Sequence, residues 1–326
     1  MNYSKQIVRE TPRGIIFTDF DGTLFNSERF VTEENFKTLE TAREAGYITA
    51  IATGRSLFSF RRVADSLDTP IEDYFDYLIF SSGAGVIRSY PGIRGFKTEV
   101  TVEDLIEAEG LSPSVAFDAA GLLFRRGIDF MIQKLVPDNH HFVHVKSNGA
   151  VNPDYYRRIR IYSGFTEALE SADGDSELDQ IEKACFKGVS QLVAVVPPGG
   201  NTDIDAKYTN ELIEYLRHRL SDCSIIRTTS PIDHSSLWIE VFNPEVSKSK
   251  TADRLTRSLG LSSENALAVG NDFNDEDMLH WAGTGRTVDE APEKMRMAHP
   301  SAGRAIDSAV ASAIQSFITD KKEIKT

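Results

Sequence analysis

Asp19 and Asp21 are the residues whose type and spacing speak most directly of chemistry. They stand in Asp19-Phe20-Asp21-Gly22-Thr23-Leu24, directly after the apolar run Gly14-Ile15-Ile16-Phe17-Thr18. A buried strand that stops at the first acid would aim Asp19 into a cleft, and Gly22 permits a sharp turn just past the second. Placed so, Asp19 is a nucleophile able to form an aspartyl-phosphate, and Asp21 is poised to donate and remove a proton. Two solvated loop residues at a strand end are the other reading, and spacing alone leaves both open.

Three further clusters follow in the chain. Thr53-Gly54-Arg55 ends the apolar run Tyr47 to Ala52. A hydroxyl and free backbone N–H groups there would hold non-bridging phosphate oxygens; a threonine capping a βα turn is the alternative. Lys248 precedes a helix read from Ser249, where an ammonium would neutralise charge on nucleophile and phosphate. A solvated surface lysine is the alternative, and Lys250 is the competitor. Gly270-Asn271-Asp272-Phe273-Asn274-Asp275 closes the set. Oxygens from Asp, Asn and backbone carbonyl suit an octahedral magnesium ion, which would bridge nucleophile and phosphate and reduce the repulsion between two anions. Four such elements, each at the carboxyl end of a strand, are harder to dismiss as turns than any one of them.

These positions need elements to hold them, and both ends of the chain alternate strand and helix signals, the pattern of a parallel sheet flanked by helices. Thr32 caps a helix with Glu33 and Glu34 in its first turn and Phe36, Leu39 and Ala42 on one face, stopped by Gly46. A helix through Leu57, Phe60, Val63 and Leu67 and a strand at Tyr77 to Phe80 come next. From about Arg88 to about His234 the rhythm changes. That stretch reads as a helix within Val102 to Glu109, strands at Phe142 to Val145, Gln191 to Val196 and Ser224 to Thr228, a helix from Asp203 to Leu220, and an exposed linker at Ser171 to Gln180. The alternation resumes with a strand at Leu237 to Phe242, a helix to Leu259, a strand at Ala266 to Val269, and helices at Asp275 to Trp281, Glu293 to Ala298 and Ala305 to Ile318. The expectation is an α/β fold: a parallel-sheet core built from residues 1–87 and 235–326, with an α+β domain, residues 88–234, inserted and joined by two strand-like crossings.

Composition narrows the partners. With 326 residues, 40% hydrophobic and 26% charged, the chain can bury two cores. A net charge of -13 argues against nucleic acid, whose backbone calls for Lys/Arg patches, and leaves room for a small anion in a locally basic pocket. Cys185 and Cys223 have no metal-ligand spacing and read as free thiols. Met1 to Gly14 is polar, and no run is long enough to span a bilayer, so the expectation is a cytoplasmic protein without membrane partners.

Taken together, the motifs resemble the haloacid dehalogenase-like (HAD) superfamily of phosphohydrolases, and within it the Cof-type group, subfamily IIB. DFDGTL at Asp19 to Leu24 matches the first motif, TGR at Thr53 to Arg55 the second, Lys248 the third, and GNDFNDEDML at Gly270 to Leu279 resembles the fourth. SSGAG at Ser81 to Gly85 resembles the group's SNGA segment, and DEAPEKM at Asp289 to Met295 its tail. The resemblance implies a Rossmann-like core with an inserted cap of the C2B type that closes over the cleft. It implies that Asp19 attacks phosphorus while Asp21 protonates the leaving oxygen and then activates water, that Thr53 and Lys248 bind the phosphoryl group, and that magnesium is held by the Asp19 carboxylate, the Asp21 carbonyl and the fourth motif. On this reading the substrate-binding set is Gly22, Thr53, Gly54, Arg55, Lys248 and Asn274, and the metal set is Asp19, Asp21, Asn271, Asp272 and Asp275. One departure stands out: where the family has Gly-Asp, this chain has Gly270-Asn271, which removes a negative charge unless Asp272 or Asp275 compensates.

The expected activity is hydrolysis of a small phosphate monoester, such as a sugar phosphate. Transfer to another acceptor, as in a phosphomutase, and a binding protein with a degraded metal site are the alternatives. Arg125, Arg126, His140, His141 and Lys187 are cap residues that could face the cleft, and the sequence does not choose among them.

Overall fold

Ile15, Ile16 and Phe17 have no solvent exposure, as a strand covered on both faces requires. The computed structural model describes residues 11–89, 96–97, 99–147, 152–169, 176–196, 202–230, 232 and 236–323. The chain runs β1 (Gly14–Thr18), α1 (Glu33–Glu44), β2 (Tyr47–Ala52), α2 (Leu57–Ala64), β3 (Tyr77–Phe80), β4 (Gly85–Arg88) and β5 (Glu107–Ala108). It continues through α3 (Pro113–Arg125), β6 (Asp129–Gln133), β7 (Phe142–Val145), α4 (Pro153–Ile161), β8 (Thr166–Ala168), α5 (Glu177–Phe186), β9 (Gln191–Val196), α6 (Thr202–Arg219), β10 (Ser224–Thr229) and β11 (Leu237–Phe242). It closes with α7 (Lys248–Ser258), β12 (Ala266–Gly270), α8 (Glu276–Trp281), β13 (Thr284–Thr287), α9 (Glu293–Ala298) and α10 (Ala309–Glu323).

The strands form two sheets. One has seven strands in the order β13-β12-β1-β2-β3-β4-β5, the other six in the order β10-β11-β9-β6-β7-β8. In the first, β13 through β3 are parallel and β4 and β5 are antiparallel additions. Local chemistry starts its helices as read: the Thr32 side chain accepts from Asn35 N–H, and Phe36, Leu39 and Ala42 are buried. Leu39 has no exposure, so its truncation to Ala would cost about 2–5 kcal/mol.

The second sheet is mainly antiparallel and buries both faces. Phe130, Ile132, Leu192, Ala194, Ile239 and Val241 pack with residues of α3, α5 and α6. Met131, Val193, Val195 and Trp238 point the other way, onto Phe142, Tyr155 and Tyr162, and Phe58 from α2 packs against that cluster. That second face is therefore turned towards the first sheet's domain.

Several expectations change. Leu237–Phe242 is a strand, but it pairs with β9 and β10 in the second sheet rather than opening the return to the first. β5 still pairs in the first sheet, so the change of sheet falls at neither residue 88 nor residue 234, the latter outside the described residues. The helix expected within Val102 to Glu109 is a 3₁₀ turn at Val102–Asp104 followed by β5, because pairing with β4 claims the rest. The linker expected at Ser171 to Gln180 lies outside the described residues up to 175, and Glu177 onward is α5, started by a Ser176–Asp179 capping box. No helix of the described residues is long and apolar enough to cross a membrane.

Candidate active site

Parallel strands deliver their carboxyl ends to one edge. Thr18 sits opposite Ile51 of β2 and Val269 of β12, and Ala52 sits opposite Ile79 of β3. Asp19, Thr53, Ser81 and Asn271 therefore emerge side by side. Asp19 N–H donates to Val269 O at 2.8 Å and Thr53 N–H to Ile79 O at 2.9 Å, so both residues are fixed by the ladder they leave. Thr53 Oγ1 accepts from Arg55 N–H at 3.1 Å, keeping its own hydrogen for a ligand.

Lys248, the first residue of α7, is buried together with two carboxylates. Its Nζ donates to Asp19 Oδ1 at 2.6 Å and to Asp275 Oδ1 at 2.5 Å. Burial opposes its charge, but Asp19 and Asp275 outweigh burial and hold it protonated. Burial pushes the Asp19 carboxyl up, to about 8, with Asp275 adding to the rise and Lys248 opposing it. Asp275 Oδ2 accepts from the N–H groups of Asn271 at 2.9 Å and Asp272 at 3.1 Å. Both oxygens of Asp275, expected among the metal ligands, are thus engaged in orienting Lys248 and the loop. Lys250 is exposed and bonds to Pro244 O, so it is Lys248 that reaches Asp19.

The remaining expected residues converge here. Arg55 holds Asp21 through two bonds of 2.6 Å, one to each carboxylate oxygen. Gly22 has φ 76°, and a Cβ there would lie 2.3 Å from Asn271 Nδ2, so the turn after Asp21 closes against Asn271. Gly54 lies beside Asn274: a Cβ on it would be 3.5 Å from Asn274 Nδ2 and from Ser82 Oγ. Asp272 caps the next turn, its Oδ1 accepting from Phe273 N–H at 2.8 Å.

The SSGAG segment, together with Asn139 and Glu240, which the sequence did not point to, completes the surroundings. Ser81 and Ser82 follow β3 with φ of 51° and 55°, a left-handed stretch that non-glycine residues hold only when neighbours enforce it. Their N–H groups donate to Arg55 O and Thr53 O. Asn139 Nδ2 donates to Ser81 Oγ at 2.7 Å, and Ser82 Oγ donates to Glu240 Oε2 at 3.0 Å. Glu240, on β11, is raised to about 7 by burial, with Ser82, Arg158 and Lys248 opposing. The second sheet's domain is thus bonded directly to the loop beside Thr53. Two aromatic contacts flank this bridge: Phe58 stacks on His140 at 4.4 Å, and Arg227 lies over Phe273 at 4.7 Å. Beside the latter a groove of about 710 Å³, which Asn274 also lines, opens between α6, β10 and α8. Of the five basic residues left open, His140 and His141 lie at the Phe58–Phe165 contact, while Arg126 lies over Tyr215 of α6, and Arg125 and Lys187 are exposed at the ends of α3 and α5. Ser82 and Glu240 are 158 positions apart, a pairing no local pattern reveals.

Comparison with known proteins identifies the family. The sequence profile of haloacid dehalogenase-like hydrolases matches residues 16–314. The 5-amino-6-(5-phospho-D-ribitylamino)uracil phosphatase YcsE of Bacillus subtilis is 23% identical over 93% of this chain and 95% of its own. Phosphatase YwpJ of the same organism is 23% identical over 86% and 91%. Among solved structures, the HAD subclass IIB sugar phosphatase BT4131 superposes with TM-score 0.64 at 19% identity, covering 93% of this chain and 98% of that one. TM0651 of Thermotoga maritima gives 0.62 at 20% identity, covering 93% and 97%. A buried nucleophile candidate at the end of β1, a lysine shared between two carboxylates and a profile match over most of the length lead to one assignment: the chain belongs to the haloacid dehalogenase-like hydrolases.

Proposed function

We propose that this protein is a magnesium-dependent phosphatase acting on a small phosphate monoester, and that Asp19 carries the phosphoryl group between substrate and water. The observation that carries this reading is Lys248, held between Asp19 and Asp275 at the edge where Thr53 also emerges. Such a cation offsets the repulsion between an anionic nucleophile and an anionic phosphate. The names of YcsE and BT4131 support a sugar or polyol phosphate as the substrate class.

In this mechanism the Asp19 carboxylate attacks phosphorus, and Thr53 Oγ1, Gly54 N–H and Lys248 Nζ bind the oxygens of a largely dissociative transition state. Asp21 gives a proton to the leaving oxygen and takes one from the water that resolves the aspartyl-phosphate. Both oxygens of Asp21 are held by Arg55, so a substrate's leaving oxygen competes with Arg55 for that carboxylate. Gly22 and Asn274 shape the turn and the wall around the phosphate.

Magnesium fits the donors on this edge, which are hard oxygens. Asn271 packs against the turn that carries Asp19 and Asp21. Asp19, the Asp21 carbonyl and Asn271 would hold the ion, with Asp272 adjacent and Asp275 orienting the loop. When bound, magnesium supplies positive charge between nucleophile and phosphate. We place the inserted cap between about Gly110 and Asn243, where the chain changes sheets.

The test is hydrolysis of an aryl phosphate with magnesium and with chelator. Asp19→Asn is expected to lower turnover by a factor on the order of a thousand or more while the thermal transition stays cooperative. Retention of more than a few per cent of the rate would overturn the assignment of Asp19.

A further inference from the structure

Arg158 carries a charge that no described carboxylate meets at contact distance. Its side chain leaves α4, is 9% exposed, and stands over Trp238, Tyr162 and Phe142 at 4.4, 5.2 and 5.6 Å. With the Gln133 amide oriented to satisfy its neighbours, Gln133 Oε1 accepts from Arg158 Nη2 at 2.6 Å. The Arg158 Nε–H is buried and has no acceptor. Asp154, one turn earlier, accepts from Trp238 Nε1–H through Oδ2 at 2.7 Å, and its Oδ1 is buried without a partner. Glu240 attracts the guanidinium from beyond ion-pair reach and is itself bonded to Ser82. A guanidinium is always charged, and burying one with rings and a single amide leaves part of its hydrogen-bonding fork unused.

The place of Arg158 ties it to the candidate site. Gln133 donates on to Asn139 O at 3.2 Å, Asn139 Nδ2 donates to Ser81 Oγ at 2.7 Å, and Ser82 N–H donates to Thr53 O at 3.0 Å. Tyr162, beneath the guanidinium, also interacts electrostatically with Arg55, the partner of Asp21. Arg158 therefore belongs to the face of the second sheet that looks onto the Thr53 edge. Besides Asp154 Oδ1, two buried acceptors, Asn139 Oδ1 and Gln191 Oε1, are without partners in the same cluster.

We propose that Arg158 is a specificity-determining residue whose unused edge binds a second anionic group, a carboxylate or a phosphate, on the leaving group of the substrate. The proposal rests on the phosphatase reading for the position of the first phosphate. A planar fork matches either anion through paired hydrogen bonds, and the aromatic walls exclude the water that would weaken them. A neutral polyol leaving group would leave the cation unmatched.

The test has a binding arm and a turnover arm. In the first, phosphonoacetate, 3-phosphonopropionate and 4-phosphonobutyrate are titrated calorimetrically into the wild-type protein, each against the alkylphosphonate of equal length. Alkane bisphosphonates of matching span tell a phosphate from a carboxylate. At least one dianionic probe is expected to bind roughly thirtyfold or more tightly than its singly functional counterpart, and Arg158→Met should bring that ratio close to one. In the second arm, the kcat/KM ratio of 3-phosphoglycerate to glycerol 3-phosphate should fall in the same variant, with Arg158→Lys intermediate. A wild-type ratio near one at every length, or an undiminished ratio in a folded Arg158→Met or Arg158→Lys protein, overturns the proposal. Absence of aryl phosphate turnover in the wild type would instead overturn the phosphatase reading, while the binding arm still reports on Arg158.

Discussion

Lys248 and Arg158 are both buried cations, yet they are neutralised differently. Lys248 touches two carboxylates, at 2.6 and 2.5 Å, and one of these is fixed in turn by two backbone N–H groups. Arg158 is surrounded by three rings and an amide, with a donor left over. The first arrangement is complete within the protein and fixes the residue proposed as nucleophile. The second is incomplete without something from outside, as expected of a region that sorts one leaving group from another.

The comparison can be broken most forcefully at Lys248. Lys248→Met leaves Asp19 and Asp275 buried without their shared cation, which should cost about 3–5 kcal/mol in denaturant unfolding at pH 8. Asp19, already pushed up by burial, then lacks the cation that opposes this rise and takes a proton more readily in the folded state, so the loss should shrink as pH falls. A loss independent of pH would mean that the triad is not electrostatic. The second test lies at Arg55. Arg55→Met frees Asp21 from its clamp and should lower kcat by on the order of a hundredfold. A change confined to KM would make Arg55 a substrate binder rather than a holder of Asp21.

Metal dependence gives a third test. Asn271→Ala should raise the magnesium concentration needed for half-maximal rate by about tenfold or more, whereas Asp272→Ala should chiefly weaken the turn it caps, by about 1 kcal/mol. The reverse order would move the ligand to Asp272, and no change in either would remove the metal from this loop. The smallest expected effect is at Glu240. Its pKa is raised by burial, from 4.5 to about 7, so the folded state keeps a proton that the unfolded state releases, and stability falls as pH rises between these values. Glu240→Gln keeps an acceptor for Ser82 and removes the charge. It should match the wild type near pH 4 and exceed it above pH 7 by up to about 3 kcal/mol. A variant less stable at pH 8 would show that attraction to Arg158 and Lys248 outweighs burial.

The contrast also explains what could be read in advance. β1, β2 and β12 were legible because a covered parallel strand is a continuous apolar run and its chemistry stands at its end, as Thr18-Asp19, Ala52-Thr53 and Gly270-Asn271 do. The charge triad was legible as residues but not as bonds: nothing local says that Asp275 spends both oxygens within the protein. β11 was read as a strand, since Leu237 to Phe242 is apolar but for Glu240, yet the run does not say which sheet it joins. α3 was missed although Ser112-Pro113 is an N-terminal signal, with Ser112 accepting from Val115 N–H. The polar cluster of Gln133, Asn139, Arg158 and Glu240 is assembled from separate elements by tertiary packing, so its members look like ordinary surface residues in the sequence.

Asn243 sits just after β11 and donates through Nδ2 to Gly110 O at 2.9 Å, just after β5. The two strands of chain that pass between the sheets are therefore fastened to each other. Fastened crossings allow swivelling about one shared axis and resist the sliding or splaying that two independent tethers would permit. Lys248 begins α7 shortly past this fastening, on the side of the first sheet, whereas Arg158 stands on α4 beside the second. A swivel about the fastening would therefore change the spacing between Arg158 and the Thr53 edge while Lys248 stays with Asp19.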